Sequence, residues 1–565
     1  MKAKLRDWLQ KGTPWIWFNA GAVAISIIMV IGLLLLLIAR GMVHFWPSDV
    51  MEATYSPPTN SDNSNSTQII GEIIETEIVL TTQIVSSGIP VESDRTMIER
   101  DLIKSGNRDV TGADFNWILT DYVSFKEYPK NMVTLERKEW GNLYGYLTTI
   151  KENDAVVRQT SINGDNYEEV WEEFGARLER ALAISAEISN IEKNDIGQIN
   201  YRMERLRLDE RKLELEGIDS GQSIAEIDAN REIADSDYLS LQGRLMELYE
   251  RASRDSVVFQ IANNQQIEIE MSEIVRAYRP NDMGVVSKLA TYGDKVWEFL
   301  ADEPREANTE GGIFPAIFGT VMMVMLMSIF VTPFGVMAAV YLREYAKQGF
   351  ATRVTRIAVN NLAGVPSIVF GVFGLGFFIY IMGGEIDQLF YPEALPAPTF
   401  GTPGLLWASL TLALLTLPVV IVATEEGLAR IPRSVREGSL ALGATKFETL
   451  WRVVLPMASP AMMTGLILAV ARAAGEVAPL MLVGVVKLAP SLPLDGNYPY
   501  LHLEQKFMHL GFHIYDVGFQ SPNIEAARPL VFATALLLVI LIALLNLAAV
   551  ALRNNLREKY KTLDV

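Results

Sequence analysis

The chain contains no cysteine, which excludes disulfides, thiolate metal sites and cysteine nucleophiles. Only four of its 565 residues are histidine, which leaves little room for histidine-based metal chemistry. No G-x-x-x-x-G-K-[ST] occurs, so the chain carries no Walker-type ATP site of its own. Basic residues are scarce relative to acidic ones: the net charge is −18, a balance that disfavours nucleic-acid binding. They are scarce in particular places too. Residues 383–403 hold no Lys or Arg, and residues 487–527 hold only Lys487 and Lys506.

Apolar residues, by contrast, make up 50% of the chain. High apolar content and high net charge are compatible when long membrane spans and a large acidic soluble region share one chain. Six apolar segments are long enough to cross a bilayer, near 20–39, 313–341, 357–382, 404–423, 459–486 and 529–552. No small-residue cleavage pattern follows the first, which reads as a retained anchor. Cations cluster at the N-terminus (Lys2, Lys4, Arg6, Lys11), at 342–356, at 424–456 and at the C-terminus (Arg553, Arg557, Lys559, Lys561). Alternation of cation-rich and cation-poor loops predicts both termini in the cytoplasm, and residues 41–312 outside it. The expected domains are therefore 1–40 (cytoplasmic N-terminus and first span), 41–312 (extracytoplasmic insert), 313–552 (membrane core, with the cytoplasmic loop 424–456) and 553–565 (cytoplasmic tail).

Within the insert, residues 56–67 (SPPTNSDNSNST) read as a linker, and the alternation at 68–86 predicts one or two strands. Residues 168–216 and 223–254 predict two long helices separated by a break at 217–221. The second keeps 3-4 spacing from Ile224 through Ile227, Arg231, Ala234, Tyr238, Leu241 and Leu245 to Leu248; the first stutters at Asp195. An antiparallel helical hairpin follows, serving as a stalk, a packing platform or a docking element. Val257–Ile261 and Ile267–Met271 predict a β-hairpin. The acidity of the insert makes it a poor funnel for a free anion and favours contact with a protein.

Two constellations could carry function. Arg472 and Glu476 are one helical turn apart in the fifth apolar segment, which places both on one helix face. Charge in hydrocarbon needs a partner or a polar path, and a guanidinium fits a tetrahedral oxyanion. Glu476 would hold the arginine or accept a hydrogen bond from a protonated anion; a purely structural ion pair is the competing reading. Pro479 would kink the same helix, and Gly475 would allow close approach. Pro333 and Pro366 interrupt backbone hydrogen bonding inside spans, and Ser367 is a candidate pathway residue. The second constellation is the loop between the fourth and fifth spans. Pro432 and Gly443 bracket SVREGSLALG, which predicts a short amphipathic helix on the membrane surface, ended by Gly443. Such a helix suits a groove in another protein. His502, His509 and His513 cluster, but without a clear carboxylate set they predict an interfacial loop, not a metal site.

The run Glu437, Gly438, Leu442, Gly443, followed by Leu455-Pro456, resembles the coupling-loop motif of ABC importer permeases, with Glu437-Gly438-Ser439 where that family usually has Glu-Ala-Ala. GTVMMVMLMSIFVTPFGVMAAVYLREY, LAGVPSIVFGVFGLG and ARAAGEVAPL are similar to the A-type permeases of phosphate transporters, here in a variant with an extended N-terminal region. The resemblance implies an α-helical polytopic fold of six transmembrane helices, the ABC type I importer permease core, in a bacterial inner membrane. It implies coupling to an ATPase through Arg436, Glu437, Gly438, Leu442 and Gly443. The implied partners are a homologous permease, an ATPase dimer and an extracytoplasmic phosphate-binding protein. No cofactor is expected on this chain, with ATP held by the ATPase. Alternatives are a permease for molybdate or sulfate, or a membrane-anchored sensor or scaffold working through its extracytoplasmic hairpin.

Overall fold

The computed structural model describes residues 12–57, 66–86, 91, 95–162, 164–217, 221–521 and 524–560. The linker expected at 56–67 and the N-terminal lysines and arginine fall largely or wholly outside them. Among the described residues six helices are long and apolar enough to cross a membrane: Trp15–Phe45, Phe314–Tyr345, Ser367–Phe390, Leu405–Arg430, Lys446–Gly475 and Ala527–Asn555.

The first crossing is α1 (Thr13–Met42). Its apolar surface is bare along most of its length, with Ile28 and Met29 both 69% exposed, as a lipid-facing anchor requires. It docks near its C-terminal end, where Leu37 is buried and a Cβ on Gly41 would lie 2.8 Å from the Ala533 nitrogen. Small residues permit such close helix contact in membranes.

The insert then forms two large antiparallel sheets, beside a small two-stranded one that pairs Pro304–Arg305 with Glu310–Gly311. One has the order β4 (Phe115–Leu119), β3 (Met97–Lys104), β2 (Thr67–Leu80), β1 (Val50–Tyr55), β5 (Val123–Glu127). Of the one or two strands expected at 68–86 there is one, long, followed by a short helix, Thr81–Ser86. The other sheet runs β10 (Gln266–Glu270), β9 (Asp255–Gln260), β7 (Leu143–Glu152), β6 (Val133–Arg137), β11 (Ile274–Tyr278), with β8 (Ala155–Gln159) on β7. The first eight residues of β7 are all buried. Strand periodicity explains this: Leu143 and Leu147 pack with α2 (Tyr167–Asn190) through Val170, Phe174 and Leu178, whereas Tyr144 and Tyr146 pack with Val50 and Ile70 of the first sheet. The insert is a three-layer unit with β7 as its middle wall.

The helical hairpin is present. A π-helical turn, Ile191–Asp195, follows α2 at the stutter, and α3 (Ile196–Glu216) continues to Gly217, whose φ of +65° ends it. The return helix is α4 (Gly221–Ala252); Leu245 and Leu248 close onto Ile184, Ile188 and Ile191. The far side of α3 meets the membrane core: Tyr201 donates a hydrogen bond to the Tyr498 carbonyl, and its ring lies edge-on to His502 at 6.3 Å.

After β11 comes α5 (Val285–Ala301), whose inner face packs on the insert-side ends of three spans through Phe299, Phe45, Ile313 and Leu530. It also carries the ionic clamp of the insert. Lys295 reaches Glu136 at 2.8 Å, Arg276 reaches Glu136 at 3.3 Å and Glu298 at 2.9 Å, and Arg305 reaches Glu298 at 2.6 Å. Burial alone would raise the Glu136 pKa; Lys295 and Arg276 outweigh it and hold the carboxyl down to about 2.

In the membrane core, α6 (Phe314–Val340) runs through Pro333 without a break. The expected third span, 357–382, is instead two helices. These are α7 (Phe350–Leu362) and α8 (Ser367–Phe373), the latter continuing as a π-helix over Gly374–Gly383 and a last α-turn segment, Gly384–Phe390. Pro366, at φ −55° and ψ 135°, caps α8. The central helix is α9 (Leu405–Arg430), followed by α10 (Arg433–Ala441). The fifth crossing starts earlier than expected, at Lys446, and ends earlier: its body, α11 (Leu455–Gly475), stops well short of 486. A short α12 (Leu480–Val483), α13 (Leu510–Tyr515) and the long α14 (Ile524–Tyr560) complete the chain.

Candidate functional site

The core is organised around α9. Against its C-terminal half lies α7, with Arg356 Nε 3.1 Å from Glu425 Oε1 and Val359 beside Ile421. Against its N-terminal half lies α8 and its continuation, where Gly374 abuts Thr411. Thr411 and Glu425 are about 21 Å apart along a helix rising 1.5 Å per residue. The 363–366 interruption therefore sits beside the middle of α9. Proline explains the break: it lacks an N–H, and it pushes the preceding residue out of the helical region. The second turn of α8 then meets the segment after α11, since a Cβ on Gly371 would lie 2.7 Å from Pro479 Cα.

Arg472 stands on the face of α11 that carries the exposed Thr464 and Leu468, whereas Ala469, Ala473 and Ala474 are buried on the other side. Its Nε is 3.5 Å from Glu476 Oε1, and the two side chains are 33% and 22% exposed. The pair exists, but its expected geometry is corrected. The helix stops at Gly475, and Glu476 is extended (φ −82°, ψ 133°), so the carboxylate reaches back from beyond the helix end rather than from the same face. Pro479 accordingly kinks nothing in α11; it precedes α12. Gly475 faces open space, not a close backbone. Ser367, the first residue of α8, is half-buried, makes no side-chain hydrogen bond among the described residues and touches neither Arg472 nor Glu476 in a recorded bond. It is one turn from Gly371, which brings it to the same neighbourhood.

The structure adds residues that the sequence left undistinguished. Two turns before Arg472 on the same face, Thr464 lines a cleft of about 420 Å³ together with Arg430, Arg553, Pro432 and Pro460. Both arginines are conspicuous in the sequence only as positive loop charges; nothing in their spacing, 430 against 553, signals that they share a cleft.

The loop between the fourth and fifth crossings folds as expected, with one change. Helix α10 ends as Gly443 takes φ +88° and donates to the Leu440 carbonyl. The next helix opens with a capping box between Thr445 and Glu448. Leu442 (91% exposed), Phe447 and Trp451 form an uncovered apolar face, the two rings stacked at 6.3 Å, and Glu437 and Gly438 are exposed beside them. Arg436 is turned the other way. Its guanidinium donates to the Ile431 carbonyl at 2.7 Å and the Leu428 carbonyl at 2.8 Å, and pairs with Glu344 at 2.9 Å. It fixes α10 to the ends of α9 and α6 instead of offering charge outward.

Among the described residues no group of three or more His, Asp or Glu could hold a metal ion. His509 and His513 are buried, not interfacial; burial pushes both imidazoles down to about 4 and keeps them neutral. His502 is held between Asp495 (2.8 Å) and Glu504 (3.1 Å).

Residues 331–561 match the family described as binding-protein-dependent transport system inner membrane component. The phosphate transport system permease protein PstA 1 of Mycobacterium tuberculosis (strain CDC 1551 / Oshkosh) is 37% identical over 247 residues, 43% of this chain and 71% of that protein. The PstA of Mycobacterium leprae (strain TN) is 38% identical over 245 residues, 43% of this chain and 71% of its own. A probable PstA of Methanocaldococcus jannaschii is 31% identical over 253 residues, 44% of this chain and 79% of its own. These alignments fall on the C-terminal part, the membrane core built around α9. The chain is a multi-pass inner-membrane permease subunit of the ABC importer class, and it belongs to the PstA family of phosphate transport system permeases.

Proposed function

We propose that this chain is one permease of an ATP-driven phosphate importer, forming the translocation path with a second, homologous permease. It takes its substrate from an extracytoplasmic phosphate-binding protein and works with a dimer of separate ATPase subunits, which hold the ATP; the chain itself binds no cofactor. The distribution of Lys and Arg supports cytoplasmic termini and an extracytoplasmic insert. The observation that carries the reading is the Arg472–Glu476 pair on the free face of α11, in a core related to phosphate permeases. The guanidinium offers a planar fork to a tetrahedral oxyanion. Glu476, reaching back from the helix end, holds that fork in place and accepts the hydrogen bond that protonated phosphate can donate and sulfate cannot. Below them the Arg430–Arg553–Thr464 cleft offers positive charge toward the cytoplasmic side, and Ser367 opens α8 beside the segment that follows Glu476. ATP-driven closure of the ATPase dimer pushes on the Leu442–Phe447–Trp451 face, and the spans alternate access around the pathway.

Phosphate uptake by cells carrying Arg472→Ala, with Arg472→Lys and Glu476→Gln beside it, tests this. Lost uptake in Arg472→Ala with normal membrane levels and ATPase co-purification is the expected result. Normal uptake in all three would make the pair structural and sink the reading. Faster uptake of sulfate or molybdate than of phosphate by the unaltered transporter would reassign the oxyanion.

A further inference from the structure

Helix α5 is inside out for a helix on a soluble domain. Three of its four charged side chains turn into the protein: Lys288 pairs with Asp49, Lys295 with Glu136, and Glu298 with Arg276 and Arg305. Its outward surface is apolar. Val285 is 70% exposed, Val286 82%, Leu289 54% and Trp297 70%, with Ala290 and Gly293 between them. At 100° per residue these six positions fill one arc of about 140°, and the exposed Asp294 and Ser287 stand just past its edge. A water-facing helix has the opposite pattern, and an uncovered apolar stripe of this kind marks an interaction surface.

The location of the helix says what covers the stripe. Its inner face rests on the outer ends of the first, second and last crossings: the Phe299 and Phe45 ring centroids are 5.0 Å apart, and the Ile313 nitrogen donates to the Phe299 carbonyl at 2.9 Å. Trp46, directly after the first crossing, lies against Tyr292 at 6.0 Å and is itself 39% exposed. Tryptophans on one apolar surface at the ends of transmembrane helices are the arrangement of a membrane–water interface.

We infer that α5 is an in-plane interfacial helix, its Val285–Val286–Leu289–Trp297 face sunk into the acyl boundary of the outer leaflet, so that the insert is seated on the lipid as well as tethered by spans. The clamp charges on its inner face are then shielded by lipid on one side and protein on the other.

The absence of cysteine makes the test direct. Single cysteines at Val286, Leu289 and, on the polar edge, Ser287 would be spin-labelled in the assembled transporter in lipid nanodiscs. Collision rates with molecular oxygen and with a water-soluble nickel chelate would then be compared. Oxygen exceeding the chelate several-fold at 286 and 289, with the reverse at 287, is the expected result. Chelate exceeding oxygen at 286 and 289 would put the face in water, and low collision rates with both would put it under protein; either overturns the inference. A second measurement needs no label: Trp297→Phe should lower the fraction of tryptophan fluorescence quenched by brominated lipid. An unchanged quenched fraction would count against lipid contact.

Discussion

At the scale of single residues, the two arginines proposed for function, Arg472 and Arg436, differ in what surrounds them. Arg472 is on an otherwise apolar face and has one carboxylate partner, so its charge remains available. Arg436 spends its donors on two carbonyls and Glu344. Removing Arg472 should therefore abolish transport without loosening the fold, with uptake down about tenfold or more, equivalent to about 1.4 kcal/mol or more of lost binding. Arg472→Lys should recover only part of it, because an ammonium lacks the planar fork. Arg436→Ala should do something different: ATP hydrolysis by the assembled transporter should persist while uptake falls, since α10, the proposed coupling helix, loses its bonds to α9 and α6. Equal loss of hydrolysis and uptake would contradict the anchoring role. Arg472 was legible in the sequence because charge is costly in an apolar span. The position of Glu476 was not, because spacing of four residues implies a shared face only while the helix continues, and nothing in ARAAGEVAPL announces that it stops at Gly475. Arg430 and Arg553 were hidden for another reason: the same residues also satisfy the charge bias of cytoplasmic loops.

At the scale of elements, local rules worked where structure is local. The 3-4 spacing of the hairpin, its stutter, and the proline-to-glycine bracket of α10 all correspond to observed features. Gly443→Ala would force a side chain into the left-handed region at φ +88°, a cost of about 1–2 kcal/mol. It should weaken ATPase co-purification, whereas Gly438→Ala, whose Cβ meets nothing in this chain, should leave the subunit's own thermal stability unchanged. Pro366→Ala should let α7 and α8 join across 363–366, slowing uptake while membrane levels stay normal; unchanged uptake would show that the interruption is incidental. The sheets were mostly missed because their ladders are long-range. Ile274 pairs with Arg137 and Tyr146 with Gln260, and no local pattern encodes such partners. Helix α5 escaped notice because its polar face is its buried face, which inverts the pattern by which surface helices are recognised.

At the scale of the whole molecule, the clamp around Glu136 and Lys295 ties the insert's second sheet to α5, which in turn packs on the membrane core through Phe299. Removing one partner, as in Lys295→Met, leaves the buried Glu136 with Arg276 alone, which Glu298 also shares, and should cost up to about 3–5 kcal/mol, visible as faster proteolysis of the insert in the intact transporter. The pH dependence follows from the directions. Glu136 has an ordinary value of 4.5 and is held at about 2, so its contribution is complete above pH 4.5 and fades as the pH falls toward 2. For Lys295 burial opposes the charge, but Glu136 and Tyr278 outweigh it and raise the pKa, so its contribution is complete below 10.5 and fades only at higher pH. Hydrogen exchange in β6 and α5 should therefore be constant from neutral pH down to 4.5, once corrected for intrinsic rates, and lose protection below it. A loss already complete at pH 6 would point to other groups. One contact reaches further than the clamp. Tyr201 of the hairpin is bonded to Tyr498, in the segment between α12 and α13. If that segment shifts during a transport cycle, the bond and the ring contact with His502 must break or travel with it. Linkage is reciprocal. Whatever free energy the moving segment spends on releasing Tyr201, a molecule that grips only the docked hairpin returns in full as resistance to that movement, so the two ends of the hairpin share a single equilibrium.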